Sequence, residues 1–405
     1  MVLLYENKEN CCGCGACHNI CPKNAISMIK DEYGFIYPNI NKTICIECGL
    51  CKKVCVFQKA VERLNQKPIA IFAAYNKNEE IFFNSSSGGI FGAIATEVLK
   101  NKGIVFGATM RNDKKVEHLF IDNIIDIKKL QGSKYVQSST NLTFREVKMF
   151  LEMGKEVLYT GTPCQIDALK SYLGNSYDNL LTVDLVCHGV PSNQFFHDYI
   201  SWLESKFKIQ ITDYKFRGKS KNGFCTQGYL EYIKNGEKRK KSINFSFDYY
   251  SYYFKEKLIN RDSCYKCPYA SSNRPGDFTI GDYWGFDEVH PEIKTNKAVS
   301  VLIVNNQKAL KVLNCLDLVI IESDLAKVTR RNKSLCCSPA MSIERNIILE
   351  IYKSKGAEGV FRYYYNRLGM KKYLLFAKSM IPYEIKIRVK RLNLLLNNMF
   401  RIIKN

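Results

Sequence analysis

From Ile69 onward, short apolar runs alternate with stretches of helical periodicity. That alternation predicts strands at 69–76, 103–110, 156–160, 180–187 and 298–304, with helices between them, which is the signature of a layered α/β body. Residues 5–58 read differently: cysteines punctuate the segment, and Asp31-Glu32-Tyr33-Gly34-Phe35 forms a turn between two short strands. A charged stretch, 59–68, ending in Pro68, reads as a linker. After Met341 apolar residues such as Leu374, Leu375, Leu394 and Leu395 recur at helical spacing with Lys and Arg between them. The expected fold class is therefore α+β in three parts. Residues 1–60 form a small cysteine-rich module, 69–335 an α/β body, and 341–405 a helical basic tail.

Composition narrows the class. Apolar residues at 46% and charged residues at 24% are ordinary for a globular chain and exclude a disordered or rod-like one. Nothing approaches the roughly 20 apolar residues of a membrane-spanning helix, and the first residues, MVLLYENKENCC, lack a signal peptide's apolar run, so a cytoplasmic location is expected. Seventeen cysteines then point to metal or redox chemistry rather than disulfides. The net charge of +21 is uneven: residues 341–405 hold 14 Lys and Arg against 4 Glu. That excess, in Arg367, Lys371, Lys372, Lys378, Lys386, Arg388, Lys390 and Arg391, has two readings. The tail either lies on an anionic membrane or acidic partner, making the protein membrane-peripheral, or packs on its own body. Nucleic acid is not an expected partner, because no recognition motif is present and the charge lies away from the cysteines.

Eight cysteines fall into two copies of C-x2-C-x2-C-x3-C: Cys11, Cys14, Cys17, Cys21 and Cys45, Cys48, Cys51, Cys55. In this spacing three thiolates wrap one cubane cluster while the fourth reaches the neighbouring one. Cys11, Cys14, Cys17 and Cys55 are thus expected to hold one [4Fe–4S] cluster, and Cys45, Cys48, Cys51 and Cys21 the other. The alternative is a pair of zinc ribbons. Pro22 follows the first copy, whereas Val56 stands after the second. Gly13, Gly15, Ala16 and Gly49 leave room for backbone to approach sulfur. Cys12 is extra and is set aside as a bystander.

In the body, two strand-to-helix junctions carry a cysteine: Gly161-Thr162-Pro163-Cys164-Gln165 and Cys187-His188-Gly189-Val190-Pro191-Ser192. In parallel sheets ligands gather beyond the carboxyl ends of strands, so both thiols stand where a site would be built, unless each is an inert buried cysteine. Cys264-Tyr265-Lys266-Cys267-Pro268 completes four thiols, the number one [4Fe–4S] cluster needs; alone this pair would also suit a dithiol or half a zinc site. Ser85-Ser86-Ser87-Gly88-Gly89 opens an amphipathic helix, whose N-terminus would suit a phosphate or simply a serine cap. The glycines of Phe278–Gly285 would let backbone pass a planar cofactor. Cys225, Cys315, Cys336 and Cys337 have no matching spacing and are unassigned, and Phe245–Phe254 is read mainly as core packing.

These motifs together with QGSKYVQS at 131–138, GTPCQ, VCHGVPS, CYKCPY and TIGDYWG resemble the family of coenzyme F420 hydrogenase/dehydrogenase beta subunits, which includes 7-hydroxymethyl chlorophyll a reductase. The likeness runs over about residues 5–335. It implies an FAD and an iron–sulfur cluster in the body, with Cys164, Cys187, Cys264 and Cys267 as its ligands. It also implies a flavin environment of Ser87, Gly88, Gly89, Lys134 and Tyr135, with Gln165 and His188 as neighbours. His188 reads equally as a satisfied loop histidine. No catalytic residue is singled out. The function expected is a flavin-dependent iron–sulfur oxidoreductase. It would couple hydride exchange at FAD, with a deazaflavin or other organic partner, to one-electron transfer through three 4Fe-4S clusters and a redox partner protein. The alternative is a non-catalytic electron-relay or scaffold subunit without flavin.

Overall fold

The computed structural model describes residues 3–57, 67–220, 223, 225–243, 248–370, 373–374 and 385. Near the N-terminus β1 (Ile26–Lys30) and β2 (Ile36–Ile40) pair antiparallel, Ile26 opposite Ile40 and Lys30 opposite Ile36. The turn between them is the expected one. The Asp31 carboxylate accepts from the amides of Tyr33 and Phe35, and Gly34 takes the positive φ of 81°. On either side lie the short helices Ala16–Ile20 and Leu50–Lys53, which begin in equivalent places of the two cysteine repeats. Each starts from a left-handed glycine, Gly15 or Gly49. The linker at 59–68 falls largely outside the described residues.

The body is built on an eight-stranded sheet. Its strands are β3 (Ala70–Asn76), β4 (Ile104–Met110), β5 (Val116–Ile121), β6 (Val157–Gly161), β7 (Leu180–Leu185), β11 (Phe278–Asp282), β12 (Ser300–Val304) and β13 (Leu318–Glu322). Their order is β13-β3-β12-β11-β7-β6-β4-β5. The middle four, β4, β6, β7 and β11, are mutually parallel; both flanks are antiparallel. All five strands expected from the apolar runs are present, with ends shifted by a residue or two. The sheet is mixed rather than purely parallel, because β12 runs antiparallel between β11 and β3 and the edge strands β5 and β13 are antiparallel to their neighbours.

Alternation within the strands covers both faces. Val105, Leu158 and Val183 pack against Ile90, Ile94 and Val98 of the helix Ile90–Lys100. Phe106 and Tyr159, one residue on, pack against Phe144, Val147 and Leu151 and against Ile166, Leu169 and Leu173. A second layer holds β8 (Gln210–Lys219), β9 (Cys225–Lys234) and β10 (Glu237–Ser242), an antiparallel meander. Its aromatic core includes Phe196, Tyr199, Tyr214, Phe216, Tyr249, Tyr250 and Tyr253, so the described part of Phe245–Phe254 is core packing, as expected.

The tail begins as part of this core. The helix Ile343–Leu368 bends at Gly356 and buries Ile348, Leu349, Tyr352, Val360 and Tyr364. Its first half therefore follows the body-packing reading. The membrane reading rests on Lys371, Lys372, Lys378, Lys386, Arg388, Lys390 and Arg391, which lie outside the described residues. Among the described residues no helix is long and apolar enough to cross a membrane.

Candidate functional site

Thiols of the two cysteine repeats lie near one another. The thiols acting on Cys17 are Cys14, Cys11 and Cys55, from both repeats. Those acting on Cys51 are Cys48 and Cys21. Cys21, Cys45, Cys48 and Cys51 line one hollow at the outer end of the module. The Ala25 amide, 3.2 Å from the Cys21 sulfur, turns the fourth thiol of the first repeat toward the second set. Among the described residues no three His, Cys, Asp or Glu side chains converge on a single-ion site.

In the body, parallel neighbours β6 and β7 each end just short of a cysteine. Thr162 and Gln165 form a capping box that starts the helix Pro163–Leu173 with Cys164 in its first turn. Cys187 follows β7, and the 3-10 turn Asp262–Lys266 brings Cys264, with Cys267 just beyond it. The four line one cavity of about 50 Å³, and Cys187, Cys264 and Cys267 each feel the charge of others in the set. Burial pushes the Cys187 thiol up to about 11 and that of Cys267 to about 12. Cys164 goes down to about 7, because the Cys12 thiol hydrogen-bonds to it. The segment after Cys267 is pinned to β7 by a buried ion pair. Arg274 Nη2 lies 2.7 Å from Asp184 Oδ1 and also donates to the Leu185 carbonyl, while the Gly276 amide donates to Asp184 Oδ2.

Sequence reasoning missed the seam between module and body. Cys12, set aside as a bystander, is buried, and its thiol adjoins those of both Cys14 and Cys164. It thus joins the first N-terminal set to the body set. Gln137 Nε2 donates to the Cys12 carbonyl at 3.0 Å and Thr140 Oγ1 to the Cys14 carbonyl at 2.8 Å. Arg145 donates to the carbonyls of Asn19 and Cys21. The signal available was the motif QGSKYVQS itself, whose Gln137 and Ser138 reach the module and the cavity. Cys337, left unassigned by spacing, lines the same cavity with Ser334.

The expected flavin residues sit on two stretches of structure, linked by Arg217, which bonds Tyr135 and Asp282 and acts on His188. Gln165 and His188 line the cysteine cavity. The Gln165 amide closes the capping box and donates to the Ser138 carbonyl. His188 stacks on Trp284 with ring centroids 4.8 Å apart and hydrogen-bonds Ser334; burial lowers it to about 4, so it stays neutral near pH 7. Ser87, Gly88 and Gly89 lie on the other stretch, at the start of the helix Ile90–Lys100, which is capped by left-handed Gly89 and not by a serine. Ser86 accepts from the Ser133 amide, Ser87 donates to the Val299 carbonyl, and the Gly88 amide donates to Ser300. A Cβ on Gly88 would meet the Ala74 carbonyl at 2.4 Å, so the glycine serves loop-to-sheet packing. The Lys134 ammonium donates to the carbonyls of Lys129, Leu130 and Gln131, which caps a helix end and uses all three of its protons. Tyr135 stacks on Phe254 at 4.3 Å. Gly281 packs on Val186 in the sheet, not on open space for a cofactor. Arg217, paired with Asp282 at 2.6 Å, and Lys219, donating to the Ser87 carbonyl, are the cations nearest this loop.

Cysteine repeats at the N-terminus and four thiols lining one cavity of the body are the chemistry of an iron–sulfur redox protein. The comparisons with known proteins agree. Residues 71–144 and 154–324 match the N-terminal and C-terminal parts of "Coenzyme F420 hydrogenase/dehydrogenase, beta subunit", and residues 10–59 match "4Fe-4S dicluster domain". The chain belongs to this family of oxidoreductase subunits and carries a 4Fe–4S dicluster domain at its N-terminus. It is 24% identical over 239 residues to one subunit of the F420H2 dehydrogenase of Methanosarcina mazei, covering 56% of this chain and 65% of the relative. It is 26% identical over 259 residues to a coenzyme F420-dependent sulfite reductase of Methanocaldococcus jannaschii, covering 58% of this chain and 39% of the relative. The match thus spans less than two thirds of either relative. A chain of the F420-reducing [NiFe] hydrogenase complex from Methanosarcina barkeri aligns with a TM-score of 0.43 at 14% identity, over 71% of this chain and 93% of that one.

Proposed function

We propose that the chain is a flavin-dependent oxidoreductase subunit with three [4Fe–4S] centres. Two would be held by the N-terminal thiols and one by Cys164, Cys187, Cys264 and Cys267. When bound, flavin exchanges a hydride with a deazaflavin or another organic partner, and the clusters handle single electrons. The observation that carries this reading is the continuity of thiols. The body set adjoins Cys12, Cys12 adjoins Cys14, and thiols of the first repeat lie near those of the second.

The protein's own residues set the direction of access. The body cysteines are enclosed by Gln165, His188 and Tyr269. The outer N-terminal set instead reaches the surface, where Cys48 is exposed and Ile44, Ile46 and Leu50 are exposed around it. Lys23, Lys42, Lys52 and Lys53 rim that patch, which suits an acidic one-electron carrier. One observation favours the relay subunit without flavin: the polar groups of loop 85–89 and Lys134 already have protein partners.

Anaerobic purification with iron, sulfide and flavin quantitation decides. The reading expects about twelve irons per chain, four for each cluster, together with one extractable FAD that reduced coenzyme F420 bleaches. About eight irons would remove the body centre, and absence of FAD would leave the relay subunit.

A further inference from the structure

Among the described residues, Arg261 is the one whose backbone belongs to the body set while its side chain belongs to the N-terminal set. Its amide donates to the Val190 carbonyl, and its own carbonyl accepts from the Cys264 amide at 3.0 Å, so it opens the turn that carries Cys264. The guanidinium is fully buried, at 0% exposure. Nε donates to the Cys11 carbonyl at 2.8 Å, Nη1 to Gln137 Oε1 at 3.2 Å, and Nη2 faces the Cys11 sulfur at 3.8 Å. The Tyr37 ring lies 3.9 Å away. Arg261 also lines the body cavity with Cys264.

A cation removed from water needs an anion, and the usual ones are absent. Among the described residues no carboxylate lies within ion-pair distance of Arg261; the neighbouring Asp262 pairs with Arg345. Neutral oxygens satisfy the guanidinium's hydrogen bonds but not its charge. The groups that act on its charge are the Cys11 sulfur in contact, then Tyr37, Cys12 and Cys264, and Cys11 or Cys264 holding a cluster would be a thiolate. A fixed positive charge beside a cluster's sulfurs favours the form carrying the extra electron and so raises its reduction potential.

We propose that Arg261 is a positioning residue that raises the reduction potentials of the centre held by Cys11 and of the centre in the body cavity, with the larger effect on the first. The part concerning the body cavity rests on the three-centre reading; the part concerning Cys11 needs only the dicluster domain. The test is an EPR-monitored redox titration of anaerobically purified full chain, with iron quantified in each sample. Arg261→Gln removes the charge. Gln137→Glu keeps the arginine but sets a carboxylate against it. Arg261→Lys restores a cation.

Both charge-cancelling variants are expected to shift the Cys11 centre to lower potential, the body centre less, while Arg261→Lys stays closer to the parent. Loss of iron in Arg261→Gln and Gln137→Glu but not in Arg261→Lys would support the same charge requirement in stronger form. Unmoved potentials in fully loaded Arg261→Gln or Gln137→Glu would overturn it. So would iron loss in all three variants, which would make the role steric. Parent protein with about eight irons and an Arg261-dependent shift would sink the body centre while leaving Arg261's action on Cys11 intact.

Discussion

The N-terminal module and the body cavity hold the same kind of thiol set but assemble it by different means. In the module, eight cysteines lie within 45 residues, and local turns such as those at Gly15 and Gly49 bring them together. In the body, Cys164 and Cys264 are 100 residues apart, and the sheet does the assembling: β6 beside β7, then Arg274 folding the later segment back onto Asp184. A local site is encoded in spacing. A topological one is encoded in the elements that deliver it, and it should fail when they fail.

Removing single ligands is the strongest way to break the comparison. Cys187→Ser should cost about four of some twelve irons and leave the N-terminal signals in place, whereas Cys14→Ser should cost the first N-terminal centre. Iron analysis and EPR of anaerobic samples read both outcomes. Loss of all iron from Cys187→Ser would show the module to be no separate unit.

The support beneath the body set comes next. Asp184→Ala leaves Arg274 charged and buried without its partner and should destabilise the body by about 3–5 kcal/mol. Denaturant unfolding followed by tyrosine fluorescence measures it. No residue of the N-terminal module is touched, but the apolar core crosses from body to module, so iron held by Cys11–Cys55 should be lost together with the body centre, at lower denaturant than in the parent.

How far each site was legible follows the same division. The paired C-x2-C-x2-C-x3-C repeats carry the crossed reading in their spacing, and the two junction cysteines were legible because β6 and β7 are largely apolar strands that lead into helices. Arg274, Arg261 and Cys12 were not, since nothing local distinguishes a surface arginine from one buried against a residue 250 positions away, as Arg261 is against Cys11. The strand β10 was missed because Glu-Lys-Arg-Lys-Lys-Ser is exposed throughout, with no apolar face to betray it. The contacts of Lys134 were not legible either: its ammonium donates to the carbonyls of its own helix end, Leu130 and Gln131, which no local pattern announces.

A pH effect should sharpen the contrast by falling on the body. His118 is buried against Tyr159, hydrogen-bonds Ser138 and the Thr160 carbonyl, and is lowered by burial to about 4. Unfolded, it takes up a proton near its ordinary value of about 6.5. Between those values the unfolded chain binds more protons, so stability is lost as pH falls from about 6.5 toward 4, by about 3 kcal/mol in full. His118→Gln should flatten that part of the stability–pH curve; an unchanged slope would place the dependence elsewhere.

The smallest effect tests whether the two regions unfold as one. Thr140→Val keeps the side chain's shape but removes the hydroxyl that donates to the Cys14 carbonyl, at a cost of about 1 kcal/mol. Thr140 also accepts from Thr143 through its backbone carbonyl, a contact the substitution leaves alone. If module and body form one cooperative unit, the loss shifts the unfolding of both, read by cluster absorbance and by tyrosine fluorescence together. If they are separate units joined at the seam, the absorbance transition moves and the fluorescence transition does not. Ala16 packs in the same apolar cluster as Ile166 and Leu169 of the body, so the hydrophobic core itself crosses the seam, and coincident shifts are the expected result.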